Sequence, residues 1–165
     1  MGIRIAWEVT TARELCDAIY SLKDTLGPVL EFCTVIDERT SPRAHGFLVE
    51  LDGNPGNRSP VPAPSPLLTQ PNFCPGPDAP SCIQQIQTIL AERNEAYALC
   101  VKTKRVGAPT VRVVRPGTFR EYRDWKIRKS GKGTGMQVKV PVVVLDRETV
   151  DWLEERVVDE VKVRV

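Results

Sequence analysis

A proline-rich segment interrupts the chain and most constrains how it can fold. Between positions 54 and 80, nine of 27 residues are proline, and only Arg58 and Asp78 are charged. Proline fixes φ and lacks a backbone N–H, so this segment cannot form a helix or a central strand. We predict a polyproline-type arm at 54–80 that joins two parts, 1–53 and 81–165, of one domain. The bulkiest apolar side chains of the arm, predicted to anchor it against its own domain or a neighbouring subunit, are Leu67, Leu68 and Phe73.

Two capping boxes predict the beginnings of helices, because Ser or Thr and the Glu or Gln three residues later satisfy each other's backbone N–H groups. The first begins at Thr11 and is followed by apolar residues at helical spacing as far as Leu26. The second begins at Ser81 and predicts a helix over 82–95. Asp146 is predicted to cap a short third helix.

Strands are predicted where apolar and polar residues alternate or where short apolar runs lie between turn residues. The predicted strands are 3–9, 30–36, 47–51, 99–106, 110–114, 119–128, 137–145 and 161–165. Together with the helices, they predict an α+β fold with a mostly antiparallel β-sheet, two to three helices and a proline-rich arm.

The net charge of +2 conceals a strongly basic region. Between positions 102 and 132 there are eleven Lys or Arg and two acids, so the rest of the chain carries −7. Aromatic residues are interleaved with this charge, and we predict a basic β-hairpin at 120–140. The candidate contact face for a polyanion or a neighbouring subunit consists of Arg120, Arg123, Lys126, Arg128, Lys129 and Lys132. Alternatively, these cations pair with acids of the same subunit or across an oligomer interface.

The residues that could carry chemistry predict no catalytic centre, no metal site and no cofactor. His45 is the single histidine, and its polar neighbourhood favours a solvated loop position. The glycine-rich stretch 129–135 has Lys126 where a phosphate-binding loop needs its first glycine. Asp124, Trp125 and Lys126 match a tripeptide of metal-dependent nucleases, but no acid cluster accompanies them. We therefore expect a non-enzymatic protein.

Two stretches resemble small tailed-phage virion proteins of the tail-completion or head–tail connector kind. The first contains TARELCDAIYSL, then ERTSPR and FLVEL, and the second is VPVVVLDRETVDWLEERVVDEVKVRV. The resemblance implies a ring-forming assembly subunit of the neck, connector or tail-terminator type, located in the virion and assembled in the host cytoplasm. Its expected partners are further copies of the chain, other virion proteins and DNA in a lumen.

Two further expectations concern other partners of the chain, namely nucleic acids and membranes. The basic strands 102–132 could instead form a nucleic-acid-binding module. No apolar run approaches the length needed to cross a bilayer, so no membrane partner is expected.

Overall fold

The computed structural model describes residues 2–52, 79–131 and 137–161. The predicted arm anchors Leu67, Leu68 and Phe73, and also Lys132, lie outside these residues. The strands are β1 (Gly2–Ile5), β2 (Glu8–Thr11), β3 (Val29–Asp37), β4 (Ala44–Leu51), β5 (Thr110–Val114) and β6 (Val157–Val161). The helices are α1 (Ala12–Tyr20), α2 (Ala79–Arg93), α3 (Glu95–Lys102), α4 (Thr118–Ser130) and α5 (Arg147–Glu154), and a 3₁₀ turn at Ser21–Asp24 follows α1.

The central sheet has the strand order β3-β4-β5-β6. The outer pairs, β3 with β4 and β5 with β6, are antiparallel, whereas β4 and β5 are parallel. The strands β1 and β2 form a separate antiparallel hairpin in which Ile5 pairs with Glu8. The predicted α+β class with a mostly antiparallel sheet is therefore confirmed, with five α-helices in the described ranges.

The sheet has an apolar core on each of its faces. On one face, Phe47 and Val49 of β4 pack in a large cluster with residues of α1, α2 and α3, including Leu15, Ile86 and Tyr97. On the other face, the cluster consists of Cys33, Val35, Leu48, Val114, Phe119, Val144 and Leu153. Because successive strand residues point to opposite faces, neighbours such as Phe47 and Leu48 belong to different cores.

The predicted first helix is confirmed at its capping box. The Thr11 hydroxyl accepts a hydrogen bond from the Glu14 backbone N–H at 3.3 Å, and the Glu14 carboxylate accepts one from the Thr11 N–H at 2.6 Å. α5 likewise begins after Asp146, whose carboxylate accepts from the Thr149 N–H at 3.0 Å. In each case the capping side chain and the backbone N–H that it accepts from are three residues apart, so the sequence alone identifies where the helix begins.

Two predicted strands are wrong, because residues 95–102 and 118–130 form α3 and α4. The carboxamide of Asn94 accepts from the Tyr97 N–H at 3.0 Å and begins α3. In α4, the buried Phe119 and Tyr122 are three residues apart, which is helical spacing. The predicted basic β-hairpin at 120–140 is therefore wrong over the described part of α4.

The predicted strand at 137–145 is an extended segment with only a short ladder to the sheet. The Thr34 N–H donates to the Val142 carbonyl oxygen at 2.7 Å, and the Val144 N–H donates to the Thr34 carbonyl oxygen at 2.9 Å. Thr34 and Val143 form the corresponding parallel bridge. Pro141 has no N–H to donate, which suits this position beside the edge strand β3.

Candidate functional site

Five of the six basic residues predicted as a contact face lie on α4, which packs beside α5 on one side of the sheet. Arg120, Arg128 and Lys129 are exposed, whereas Arg123 and Lys126 are partly buried; the sixth, Lys132, is outside the described residues. We refer to the outer surface formed by α4 and α5 as the α4–α5 face. It is the candidate site because it concentrates cations and aromatic rings.

A stack of aromatic rings joins the two helices. The rings of Trp125 on α4 and Trp152 on α5 are stacked, with centroids 5.2 Å apart and planes 16° apart. Tyr122 meets Trp152 edge-on at 6.1 Å. The guanidinium of Arg156 lies 3.5 Å from the Trp152 ring centroid, and the Lys126 ammonium lies 4.9 Å from that of Trp125. These cation–π contacts add to the carboxylate contacts of the same cations, Arg156 with Glu121 at 3.4 Å and Lys126 with Asp146 at 4.0 Å.

Three of the basic residues of α4, two partly buried and one exposed, have partners within the chain. Arg123 forms a bidentate-type contact with Glu31 of β3, and Lys129 pairs with Glu148 of α5. Lys126 donates to the Thr149 hydroxyl at 2.8 Å. Lys126 also lies 4.0 Å from the Asp146 carboxylate, so each of these three cations has an acid partner within the same subunit, which is one of the two uses that the sequence left open.

The same cations influence a nearby carboxyl group. Burial acts to raise the pKa of Asp146, but the hydrogen bonds from Thr149 and the charges of Lys126 and Lys129 outweigh it. The pKa of Asp146 consequently lies below its ordinary value. Its carboxylate stays ionised and caps α5, so it is a structural acid rather than a proton donor at neutral pH.

Beside the aromatic stack, a shallow groove of about 570 Å³ opens on the α4–α5 face. It is lined by Trp125, Arg147, Glu148, Asp151, Trp152 and Glu155. Arg147 pairs with Asp151 at 2.9 Å, and Arg156 lies 3.7 Å from Glu155. The lining carries one cation and three acids, and each acid has a cationic partner in the chain: Glu148 with Lys129, Asp151 with Arg147 and Glu155 with Arg156.

The N-terminus of α4 is closed by the chain's own carboxylate. Glu50 of β4 accepts hydrogen bonds from the Gly117 N–H at 2.6 Å and from the Phe119 N–H at 3.0 Å. Gly117 has a φ of 83°, a conformation that favours glycine. A carboxylate at this position satisfies the free N–H groups and the positive end of the helix. It therefore occupies the place where a helix N-terminus would otherwise bind an anion.

A second charged network runs across the sheet. The Asp37 carboxylate of β3 accepts from the Thr110 hydroxyl of β5 at 2.7 Å and from Arg39 Nη2 at 2.7 Å. Arg39 also donates to Glu160 of β6 at 2.7 Å. Burial acts to raise the pKa of Asp37, but these hydrogen bonds outweigh it and lower the pKa to about 2. The carboxylate is therefore ionised at neutral pH.

Arg112 of β5 forms the buried end of this charged region. Its side chain is 3% exposed and donates to Glu154 of α5 at 3.0 Å. Gly46 lies next to it, and a Cβ at that position would be 3.2 Å from Arg112 Nη2 and from the Asp37 Cβ. The absence of a side chain at Gly46 thus makes room for the guanidinium between β4 and α5.

His45 is not solvated in a loop, as the sequence suggested, but fully buried in β4. Its Nε2 lies 3.2 Å from Glu8 Oε1 and 3.2 Å from the Thr10 hydroxyl, and Thr10 donates to Glu8 at 2.8 Å. The ring of Tyr97 lies 5.6 Å from the imidazole, and burial raises the pKa of its phenol. This Glu8–His45 cluster joins the β1–β2 hairpin to the sheet but has no access to solvent.

No group of three or more metal-binding side chains occurs among residues 2–52, 79–131 and 137–161. Asp124, the acid of the nuclease-like tripeptide, lies exposed on helix α4 rather than on a strand. Within the same ranges, no helix has the length and apolar character required to span a membrane.

The chain matches a known domain family. The family described as GH3 family C-terminal domain matches residues 8–148, which is most of the chain. The chain therefore belongs to the GH3 C-terminal domain family. No curated protein matches the chain.

Solved structures with the same fold are acyl acid amido synthetases. GH3.15 acyl acid amido synthetase superimposes with a TM-score of 0.72 at 22% identity, covering 96% of this chain and 26% of that chain. AtGH3.15 acyl acid amido synthetase in complex with 2,4-DB gives a TM-score of 0.67 at 22% identity with the same coverages. At this identity the likeness establishes the fold. The chain spans about a quarter of the length of these synthetases.

These findings correct the functional interpretation of the sequence. The chain is not a phage neck, connector or tail-terminator subunit, because the family match covers the stretch TARELCDAIYSL and the beginning of the second stretch that suggested one. The expectation of a non-enzymatic protein is contradicted as well, because the chain matches the GH3 family C-terminal domain and two solved structures with its fold are named acyl acid amido synthetases. A nucleic-acid-binding module is not supported, and α4 provides no basic strand for one. The predicted oligomer remains untested.

Proposed function

We propose that this chain acts as the C-terminal domain of an acyl acid amido synthetase, an enzyme that joins an acyl acid to an amine through an amide bond. The observation that carries the proposal is the family match over residues 8–148. Synthetases with this fold devote about a quarter of their length to it. The domain would therefore work together with a larger part of the same protein.

The chemistry explains why a charged domain surface would be useful. A carboxylate is a poor acceptor for an amine, so amide formation needs an activated acid and an energy source such as a nucleoside triphosphate. Both the acid and the triphosphate are anions. Arg120 and Arg128 lie exposed on α4, eight residues apart, and are placed to attract anionic reactants without breaking the internal pairs of Arg123 and Lys129.

Amide formation by the full-length gene product tests the proposal. The protein is incubated with a panel of acyl acids, amino acids, ATP and Mg²⁺, and the amide is measured by mass spectrometry. We expect a product that depends on both substrates and on ATP, and that is lost when the domain is deleted. Failure to form an amide with any acid–amine pair of a broad panel would contradict the proposal.

Charge-reversal variants test the proposal that the exposed cations of α4 attract the anionic reactants. Arg120→Glu with Arg128→Glu should lower kcat/KM for amide formation by on the order of tenfold, because the reactants would meet a repulsive surface. Arg13→Glu, which reverses an exposed charge on α1, is the matched control and should have little effect. Equal rates for both variants would show that the α4 cations do not serve the reaction.

A further inference from the structure

A groove of about 560 Å³ opens at the end of the central sheet where β4 and β5 begin and β6 ends. The turn between β3 and β4, the beginning of α2, the segment before β5 and the end of β6 contribute to its described lining. The apolar part of this lining consists of Pro42, Ile83, Ala108, Pro109 and Val161. We call it the sheet-end groove. It is separate from the groove on the α4–α5 face, because no residue of α4 or α5 is in its described lining.

Three polar side chains of the sheet-end groove already have partners within the chain. The Thr40 hydroxyl donates to a backbone carbonyl oxygen of its own turn at 3.0 Å, and the Thr110 hydroxyl donates to Asp37 at 2.7 Å. Glu160, which carries the charge of the described lining, accepts from Arg39 at 2.7 Å. A charged ligand would have to displace these partners. The groove therefore suits an uncharged, apolar occupant.

One segment of this chain has the required chemistry. Residues 53–78 lie outside the described residues, and no charged residue occurs in their sequence from position 59 to position 77. Phe73 is their bulkiest apolar residue, and Leu67 and Leu68 precede it. Because proline restricts φ, ordering such a segment costs less conformational entropy than ordering a glycine-rich linker.

The length of the chain brings Phe73 within reach of the groove. α2 begins at Ala79, and Ile83 of the lining is four residues, or about 6 Å, further along this helix. Phe73 precedes Ala79 by six residues, which span at most about 20 Å. The Cα of Phe73 therefore stays within about 26 Å of the Cα of Ile83. Such a short connection gives the ring an effective concentration on the order of millimolar at the groove.

From the uncharged lining and this reach, we propose that the sheet-end groove is the docking surface for the proline-rich segment of the same chain, with the Phe73 ring as the anchor. Docking would cover Ala108, which is exposed in the described residues. A phenylalanine ring is a suitable anchor because its burial removes a large apolar area from water. The inference concerns the 165-residue chain alone and does not depend on the proposed function.

Nuclear magnetic resonance of the 165-residue chain tests the contact. Phe73→Ala should shift the backbone amide signals of residues 107–110, because it removes the ring from the groove. Asn72→Ala, the matched change at the preceding position, should leave these signals in place.

Proteolysis tests the docking from the side of the groove. Ala108→Glu places a charge at an exposed position of the lining and should release the segment, whereas Ala108→Ser is its control. Cleavage by chymotrypsin after Leu68 or Phe73 should become about tenfold faster in Ala108→Glu than in the original chain and in Ala108→Ser.

Each outcome supports or overturns the docking surface without reference to amide formation. Unchanged amide signals in Phe73→Ala, or equal cleavage rates in Ala108→Glu and the original chain, would overturn it. Dimerisation in analytical ultracentrifugation that Phe73→Ala abolishes would overturn it in favour of docking on a second copy. If Phe73→Ala does not fold, Phe73→Leu keeps an apolar side chain, and the loss of the aromatic ring should still shift the same amide signals.

Discussion

At the scale of single residues, Ala6 in the turn between β1 and β2 provides a direct test of backbone strain. Its φ of 56° requires a conformation that glycine adopts without the steric cost of a Cβ. Ala6→Gly should therefore raise the free energy of unfolding by about 0.5–1 kcal/mol, measured by urea denaturation. Ala96→Gly makes the same chemical change inside α3 and should lower it by a similar amount. A destabilising effect at both positions would show that the turn is not strained.

The buried pair of Glu8 and His45 provides a second residue-scale test. Glu8→Leu or His45→Phe alone leaves the other group buried with only the Thr10 hydroxyl beside it, which should cost about 1–3 kcal/mol. The double variant replaces both with apolar side chains of similar size and should cost less than the sum of the two. Thermal and urea unfolding of all four proteins gives the coupling energy. Additive effects would mean that the pair does not interact.

His45 also shows where the sequence was insufficient. It lies in β4, the strand between β3 and β5, and helices cover both faces of the sheet. Every residue from Ala44 to Glu50 is therefore buried, and the polar–apolar alternation of a half-exposed strand is absent. From the sequence alone, His45 cannot be distinguished from a loop residue, because its buried partner Glu8 on β2 is 37 positions away.

At the scale of elements, Glu50 determines how α4 begins. Glu50→Ala leaves the Gly117 and Phe119 N–H groups without their acceptor and should destabilise the protein by about 1–3 kcal/mol. Glu50→Gln keeps an acceptor oxygen but loses the charge, so its effect should be smaller. Unfolding monitored by circular dichroism measures both. Asp124→Ala removes an exposed acid from the same helix and serves as the control, which should change stability little.

The sequence predicts a helix or strand correctly where the residues that determine it are close together in the sequence. α1 and α5 were found because a capping side chain and its target lie three residues apart. The sequence of α4 predicts a strand, because Lys and Arg recur so often over 120–129 that they fit alternation as well as a helical period. The orientation of α4 depends on Phe119, which packs in the core cluster of the sheet, and on Tyr122, which packs against Trp152 of α5, and the sequence pattern alone does not reveal these contacts.

At the scale of the whole molecule, the α+β class was predictable, but the assembly of the candidate site was not. The contacts that build the site join distant positions: Glu31 with Arg123, Glu50 with Phe119, and Trp125 with Trp152. No local pattern encodes these pairs. The resemblance to virion proteins failed for a related reason, because a strand, a short charged helix and a final strand recur in many unrelated α+β domains.

The acid stability of the molecule should depend strongly on Asp37, which links β3 to β5 and, through Arg39, to β6. Its side chain is 1% exposed, and its pKa is lowered to about 2 from an ordinary value near 3.8. A lowered pKa contributes stability at pH values above the pKa of the unfolded state, and this contribution is lost as the pH falls from about 4 to 2.

The loss in the free energy of unfolding should amount to about 2 kcal/mol, and Asp37→Asn should remove this part of the acid dependence while lowering stability at pH 7. Urea unfolding between pH 2 and pH 7 measures it, with Asp124→Asn at an exposed position of α4 as the control. The same steep loss below pH 4 in Asp37→Asn would show that other carboxylates govern acid unfolding.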